Sequence, residues 1–168
     1  MALWRREGFV EDKWASVADG EAVPAAGPII VSATRWRAER EALSVRAAPV
    51  GVAMGPGKEA YEHLKEVADR PLVALEFPKF ADGRAFSLAQ LLRQRYGFKG
   101  ELRAIGEVLL DELALMLRCG FDSFDIANEP TLHALERGWR APVSLYYQPS
   151  LMPEVPAGTR PWLRRAAS

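Results

Sequence analysis

Short apolar runs alternate along most of this chain with longer stretches in which apolar side chains recur every three to four positions. The runs 28–32 (PIIVS), 49–54 (PVGVAM), 72–77 (LVALEF) and 101–105 (ELRAI) read as strands. A shorter fifth lies at 123–126 (SFDI), and 144–147 (SLYY) is a candidate sixth. Continuous β-branched and leucine-rich runs suit strands covered on both faces. Between them, 58–69 sets Tyr61, Leu64 and Ala68 along one side of a helix. The stretch 87–96 opens with Ser87-Leu88-Ala89-Gln90, a capping box in which serine and glutamine satisfy end amides reciprocally. Its Leu88, Leu91, Leu92 and Tyr96 fall at helical spacing. Residues 106–119 carry a broader apolar face of Val108, Leu109, Leu113, Met116 and Leu117, and 131–137 predicts a shorter last helix.

An internal echo supports this order. Arg95-Tyr96-Gly97-Phe98-Lys99-Gly100 returns 23 residues later as Arg118-Cys119-Gly120-Phe121-Asp122-Ser123. In each copy glycine suits the left-handed turn that ends a helix, phenylalanine folds back on the last turn, and a strand follows. Repeated βα units predict an α/β fold on a parallel sheet with right-handed crossovers. Periodicity leaves an open sheet and a partial barrel as alternatives. Residues 29–148 make up the single α/β domain. Residues 1–28 lack sustained periodicity, end in Pro24-Ala25-Ala26-Gly27-Pro28 and read as a loosely ordered, irregular arm pinned by Trp4 or Trp14. Residues 149–168 hold four prolines and three arginines against one acid, Glu154, and read as a C-terminal tail, either solvated or docking on a partner.

Composition narrows the classes. The chain has 168 residues, enough for one domain, with 49% hydrophobic and 26% charged residues as in ordinary globular proteins. Twenty-two basic residues balance twenty-two acidic ones, so no global field points to nucleic acid or an anionic membrane. The one cysteine, Cys119, makes no internal disulfide and cannot alone hold an iron–sulfur cluster or a structural zinc, so neither is expected. A reducing compartment fits it. Charge interrupts the first residues before any apolar run of signal-peptide length, and nothing approaches the ~20 apolar residues of a membrane span. The expectation is a cytoplasmic protein.

Candidate chemistry gathers where strands end, since loops after strand C-termini build binding sites in parallel α/β folds. Lys79, Asp82, Arg84 and a helix start at Ser87 follow one strand; Arg103 and Glu107 stand at the end of the next. Arg84 and Arg103 would fork a small oxyanion by paired hydrogen bonds, with Lys79 as a point charge and the helix start at Ser87 adding amides. The alternative is structural: Asp82 and Arg84 brace their turn while Arg103 pairs with Glu107 or Asp111. Glu107 and Asp111, four apart, would share a helical face as a solvated pair or an acid–base pair. Cys119 ends a helix, so no dipole activates it. His63 and His133 read as surface or helix-end residues. Gly55-Pro56-Gly57-Lys58-Glu59-Ala60, with Glu76 nineteen residues after Gly57, imitates a dinucleotide fingerprint; an ordinary βα turn is the competing reading.

The run FPKFADGRAFSLAQLLRQRYGFKGELRAIGEVLLDELALMLRCGFDSF, Phe77 to Phe124, resembles the signature of domain-of-unknown-function family nine-three-four. The Asp-Gly-Arg turn, the Leu-Arg-Ala stretch ending in glycine and Arg-Cys-Gly-Phe-Asp carry the likeness together. The chain departs from the family's usual Gly-Tyr at Ala85-Phe86, its Asp at Glu107 and its Gln at Glu112. Phe86 lacks a hydroxyl, which argues against a catalytic phenol there. The resemblance implies a role in assimilatory sulfite reduction, as an accessory or electron-transfer-linked protein that binds sulfite reductase or handles a small oxyanion. The alternatives are a small oxidoreductase using a nicotinamide or flavin nucleotide at the Gly55 loop, and a structural module without catalysis.

Overall fold

The computed structural model describes residues 2–79 and 82–139. Its strands are β1 (Ala2–Arg5), β2 (Gly8–Val10), β3 (Ala15–Ser16), β4 (Ile29–Ser32), β5 (Val50–Met54), β6 (Leu72–Phe77), β7 (Glu101–Gly106) and β8 (Ser123–Ile126). The helices are α1 (Ala33–Ala38), α2 (Arg40–Ser44), α3 (Lys58–Val67), α4 (Arg84–Gln90), α5 (Leu113–Arg118) and α6 (Glu129–Glu136). A π-helical segment, Leu91–Arg95, continues α4. All eight strands join one sheet in the order β2-β1-β8-β7-β6-β5-β4-β3. The strands β3 to β8 run parallel in sequence order, and β1 and β2 extend the β8 side antiparallel.

Parallel neighbours in sequence order, joined by the right-handed crossovers that such sheets use, put the described helices on one face of the sheet. Alternation along the strands sorts the side chains accordingly. Val31, Val52, Val73, Leu75, Phe77, Leu102, Ala104 and Phe124 point into the main core with Trp36, Leu64, Leu88, Leu92, Leu113 and Met116 from the helices. The opposite face carries a small cluster of Ile30, Leu72 and Ala74, against which Trp14 packs.

That opposite face is concave. Only residues 11–14 link β2 at one edge of the sheet to β3 at the other. Five Cα steps, Val10 to Ala15, reach at most about 18 Å, whereas seven strand spacings along a flat sheet would span about 34 Å. The sheet must therefore bend through about half a circle or more, and it is a curled half-barrel. Residues 11–14 strap its open side. This settles the alternative left by periodicity in favour of the partial barrel.

The strands β6 and β8 fall where the apolar runs place them, and β4, β5 and β7 agree within one residue. Residues 144–147 and the 149–168 tail lie outside the described residues. Within the segment read as an irregular arm, residues 2–16 supply three strands, because Ala2–Arg5 finds its ladder partner in β8, more than a hundred residues away. Residues 33–44, which show no long periodic stretch, form α1 and α2; Ser32 Oγ accepts from Arg35 N to start α1. Helix α4 begins at Arg84, not Ser87: Gly83 stands at the cap, and Asp82 Oδ1 accepts from Arg84 N (3.2 Å) in place of a serine cap. The helix expected from 106 shrinks to α5, since Gly106 turns left-handed (φ 89°). The echo holds. Gly97 and Gly120 both take positive φ, and Phe98 N and Phe121 N donate back to Leu92 O and Met116 O. The first reach is one residue longer because the π-helical turn precedes it.

Candidate functional site

Helix α3 buries Ala60, Leu64 and Val67, one residue off the stripe expected from Tyr61, Leu64 and Ala68. That rotation leaves His63 beside α1 at the carboxyl ends of the strands. There Met54 and Gly55 from the end of β5, Gly57 to Ala60 from the start of α3, Ala33, Thr34 and Arg37 of α1, and His63 enclose a cavity of about 370 Å³. Gly57 caps α3 without a side chain, so the positive end of the helix dipole lies against the cavity. Arg37 Nη1 stands 2.6 Å from His63 Nε2, and His63 Nδ1 2.9 Å from Glu66 Oε1. Arg37 Nη2 and Glu59 are 3.7 Å apart, with Glu59 largely solvated. Lys58 has no ion-pair partner among the described residues. Glu76 sits next door, its Oε2 3.4 Å from where a Cβ on Gly55 would stand.

The adjoining loop after β6 carries Lys79, Asp82 and Arg84 around a shallower hollow with Pro78. Arg84 grips Asp82 through Nε (2.8 Å) and Nη2 (2.6 Å), and this hydrogen bonding holds the Asp82 carboxyl below its ordinary range. Tyr61 Oη donates to Arg84 O at 3.5 Å, which joins this hollow to the α3 side. Ser87 is exposed within the first turn of α4.

Arg103 is elsewhere. It points into the concave face, 2% exposed, with Nη1 2.7 Å from Asp12 Oδ2 and Nη2 3.1 Å from Asp12 Oδ1. Its Nε and Nη2 also donate to Glu101 Oε1, which accepts from Ser123 Oγ (2.6 Å) as well. Arg5 takes the other Glu101 oxygen at 2.6 Å. Burial works against the Arg103 charge, but the hydrogen bonds to Asp12 and Glu101 outweigh it and hold its pKa above the ordinary value. Above this network lies a cavity of about 310 Å³, bordered by Ser32, Ala53, Ala74, Ile105 and Asp125. Burial pushes the Asp125 carboxyl up; Arg103 opposes the shift and Asp12 adds to it.

The structure therefore divides the residues expected to act together. Lys79, Asp82 and Arg84 share one hollow, while Arg103 lines different cavities and latches the strap instead of forking an anion with Arg84. Its partners are Asp12 and Glu101, not Glu107 or Asp111. Gly55 and Gly57 do line a cavity, and Glu76 flanks it. The residues not singled out are Arg37, Lys58 and His63. Arg37 lies on a helix with no sequence signal beyond its Ser32 cap, and His63 faces a charged partner from another element. Strand Glu101-Leu102-Arg103 did hold a clue: alternation alone puts Glu101 and Arg103 on one face, with Leu102 on the other.

Among the described residues no helix is long and apolar enough to cross a membrane. No curated protein and no solved structure matches the chain. The profile of the family described as bacterial protein of unknown function (DUF934) matches residues 51–157, which takes in β5 through α6, the Gly55 cavity and the Lys79–Arg84 loop. That match spans more than half of the chain, and the protein belongs to the DUF934 family of bacterial proteins.

Proposed function

We propose that this protein is a cytoplasmic component of assimilatory sulfite reduction that binds a small oxyanion at the carboxyl ends of its strands. The pathway rests on the family resemblance carried by residues 77–124. The chemistry rests on one observation: Arg37, uncommitted Lys58 and His63 converge on a 370 Å³ cavity against the start of α3. Guanidinium and ammonium groups, together with a helix dipole, favour a compact anion such as sulfite, sulfate or phosphate. Lys79 and Arg84, in the next hollow, extend the basic surface along the rim toward an acidic partner such as sulfite reductase. The test is titration of sulfite and sulfate into the wild type and an Arg37→Ala/Lys58→Ala variant. The double variant should lose on the order of tenfold or more in affinity, the equivalent of about 1.4 kcal/mol. No binding by the wild type at millimolar anion would remove the site. For the pathway, a deletion strain should fail on sulfite yet grow on sulfide; equal growth on both, with no redundant gene, would remove that half of the reading.

Gly55 and Gly57 line the same cavity, which favours a second reading: an oxidoreductase that seats the phosphate of a nicotinamide or flavin nucleotide there. A cofactor bound this way raises thermal stability as its concentration exceeds its dissociation constant, whereas a bare oxyanion site responds to sulfate or sulfite and gains nothing more from the nucleotide.

A further inference from the structure

The hydrogen bonds around His63 decide where its proton sits. Arginine nitrogens only donate, so with Arg37 Nη1 at 2.6 Å the His63 Nε2 must present a lone pair. The ring hydrogen is then on Nδ1, donated to Glu66 Oε1 at 2.9 Å. His63 is neutral in this arrangement. It ties one edge of the Arg37 guanidinium to the cavity wall instead of leaving it to a ligand. The charged groups around the imidazole come from two helices: Arg37 of α1, and Lys58, Glu59 and Glu66 of α3.

We infer that His63 is the positioning residue for Arg37, and that capture of a dianionic oxyanion in this cavity carries a proton onto His63. This rests on the oxyanion reading above. An imidazolium has no lone pair at Nε2, so protonation breaks the Arg37 contact and frees guanidinium donors for the anion. The same proton adds a second positive charge at the cavity wall, while Glu66 still holds Nδ1–H. Both effects have one sign: oxyanion affinity rises as pH falls through about 8 to 5, the range in which histidine changes charge. By reciprocity, the bound anion draws the proton from solution.

The experiment is calorimetric titration of sulfate, whose charge is constant over this range, into the full chain at about pH 5.5, about pH 6.5 and about pH 8. Two buffers of different ionisation enthalpy report the protons taken up. The wild type should bind on the order of tenfold tighter at the lowest pH than at the highest, with net proton uptake at the middle one. His63→Gln keeps an acceptor for Arg37 but cannot titrate, so it should bind with a flat pH profile and no proton uptake. Equal wild-type affinity at every pH, or an unchanged slope in His63→Gln, would overturn the coupling while leaving the anion site intact. No sulfate heat at any pH would overturn the site itself. Nitrogen NMR of the His63 ring stands apart from both: an Nδ1–H tautomer at high pH is required, and an Nε2–H tautomer overturns the positioning role.

Discussion

The strap across the half-barrel is held at its middle by one ion pair, so Asp12→Ala should loosen the whole N-terminal segment. Arg103 gives Asp12 two hydrogen bonds, at 2.7 and 3.1 Å, from a side chain only 2% exposed. Charge-assisted bonds contribute about 1.5–3 kcal/mol each, and Asp12 is 37% exposed, which brings the pair down to about 2–3 kcal/mol. Some of that cost is the Arg103 cation left buried beneath the strap with Glu101, an acceptor already shared with Arg5 and Ser123. For a chain of this length the loss lowers the melting temperature by about 5–10 °C. Urea titration, with the slope checked for a change in cooperativity, is the assay. Adding Arg103→Met should recover about half of the loss, because the buried cation that lost its Asp12 partner is then gone while Glu101 keeps Arg5 and Ser123. A loss below about 0.5 kcal/mol for Asp12→Ala, or a double variant as damaged as the sum of the singles, would refute the latch.

Gly106→Ala should prevent stable folding, since its Cβ would stand 2.5 Å from Phe77 O at φ 89°; soluble yield and a melting curve read it out. Glu112 is pushed up to about 7, first by burial and then by Asp111 and Glu107, and one of its carboxylate oxygens is buried with no partner. A raised acid means the folded state holds the proton more tightly, so stability drops as pH climbs from about the ordinary glutamate value toward 7. Glu112→Gln should flatten that decline, stabilising the protein at alkaline more than at acid pH in urea titrations; an unchanged profile would reject the assignment. Cys119 is 2% exposed and its thiol is pushed up by burial, against Gln90 and Arg118, so a thiol reagent should label it only after denaturant is added. Fast labelling of the native protein would contradict this burial.

Two glycines show how well the local pattern carried. Gly97 and Gly120 sit where helix ends need a left-handed residue, and Phe98 and Phe121 behind them are both buried. Such turns are settled within six residues, so the chain states them locally. The same holds for Leu72–Phe77 and Ser123–Ile126, whose apolar runs mark strands wherever they end up. Ser87 is the counterexample. Its capping-box spacing was real, but Asp82 and Gly83 start the helix one turn sooner, and a cap already made leaves the second one unused.

The candidate site was only partly legible, for a different reason. Gly55 and Gly57 announce a turn at a strand end, and Lys79 and Arg84 another, because βα order places both on the same rim. Arg37 and His63 meet across 26 residues on two helices, and nothing local to either predicts the 2.6 Å contact. Arg103 makes the point from the other side. Alternation along β7 puts it on a face with Glu101, but whether that face meets helices, solvent or a strap depends on the handedness of crossovers and the curl of the sheet. The central strands, the helices between them and the turn chemistry are thus written in neighbouring residues, where periodicity and backbone preference act. The half-barrel, its N-terminal strands and the partners of Arg103 arise from pairings such as Ala2 with Ile126 and Asp12 with Arg103, whose free energy exists only once distant segments have met.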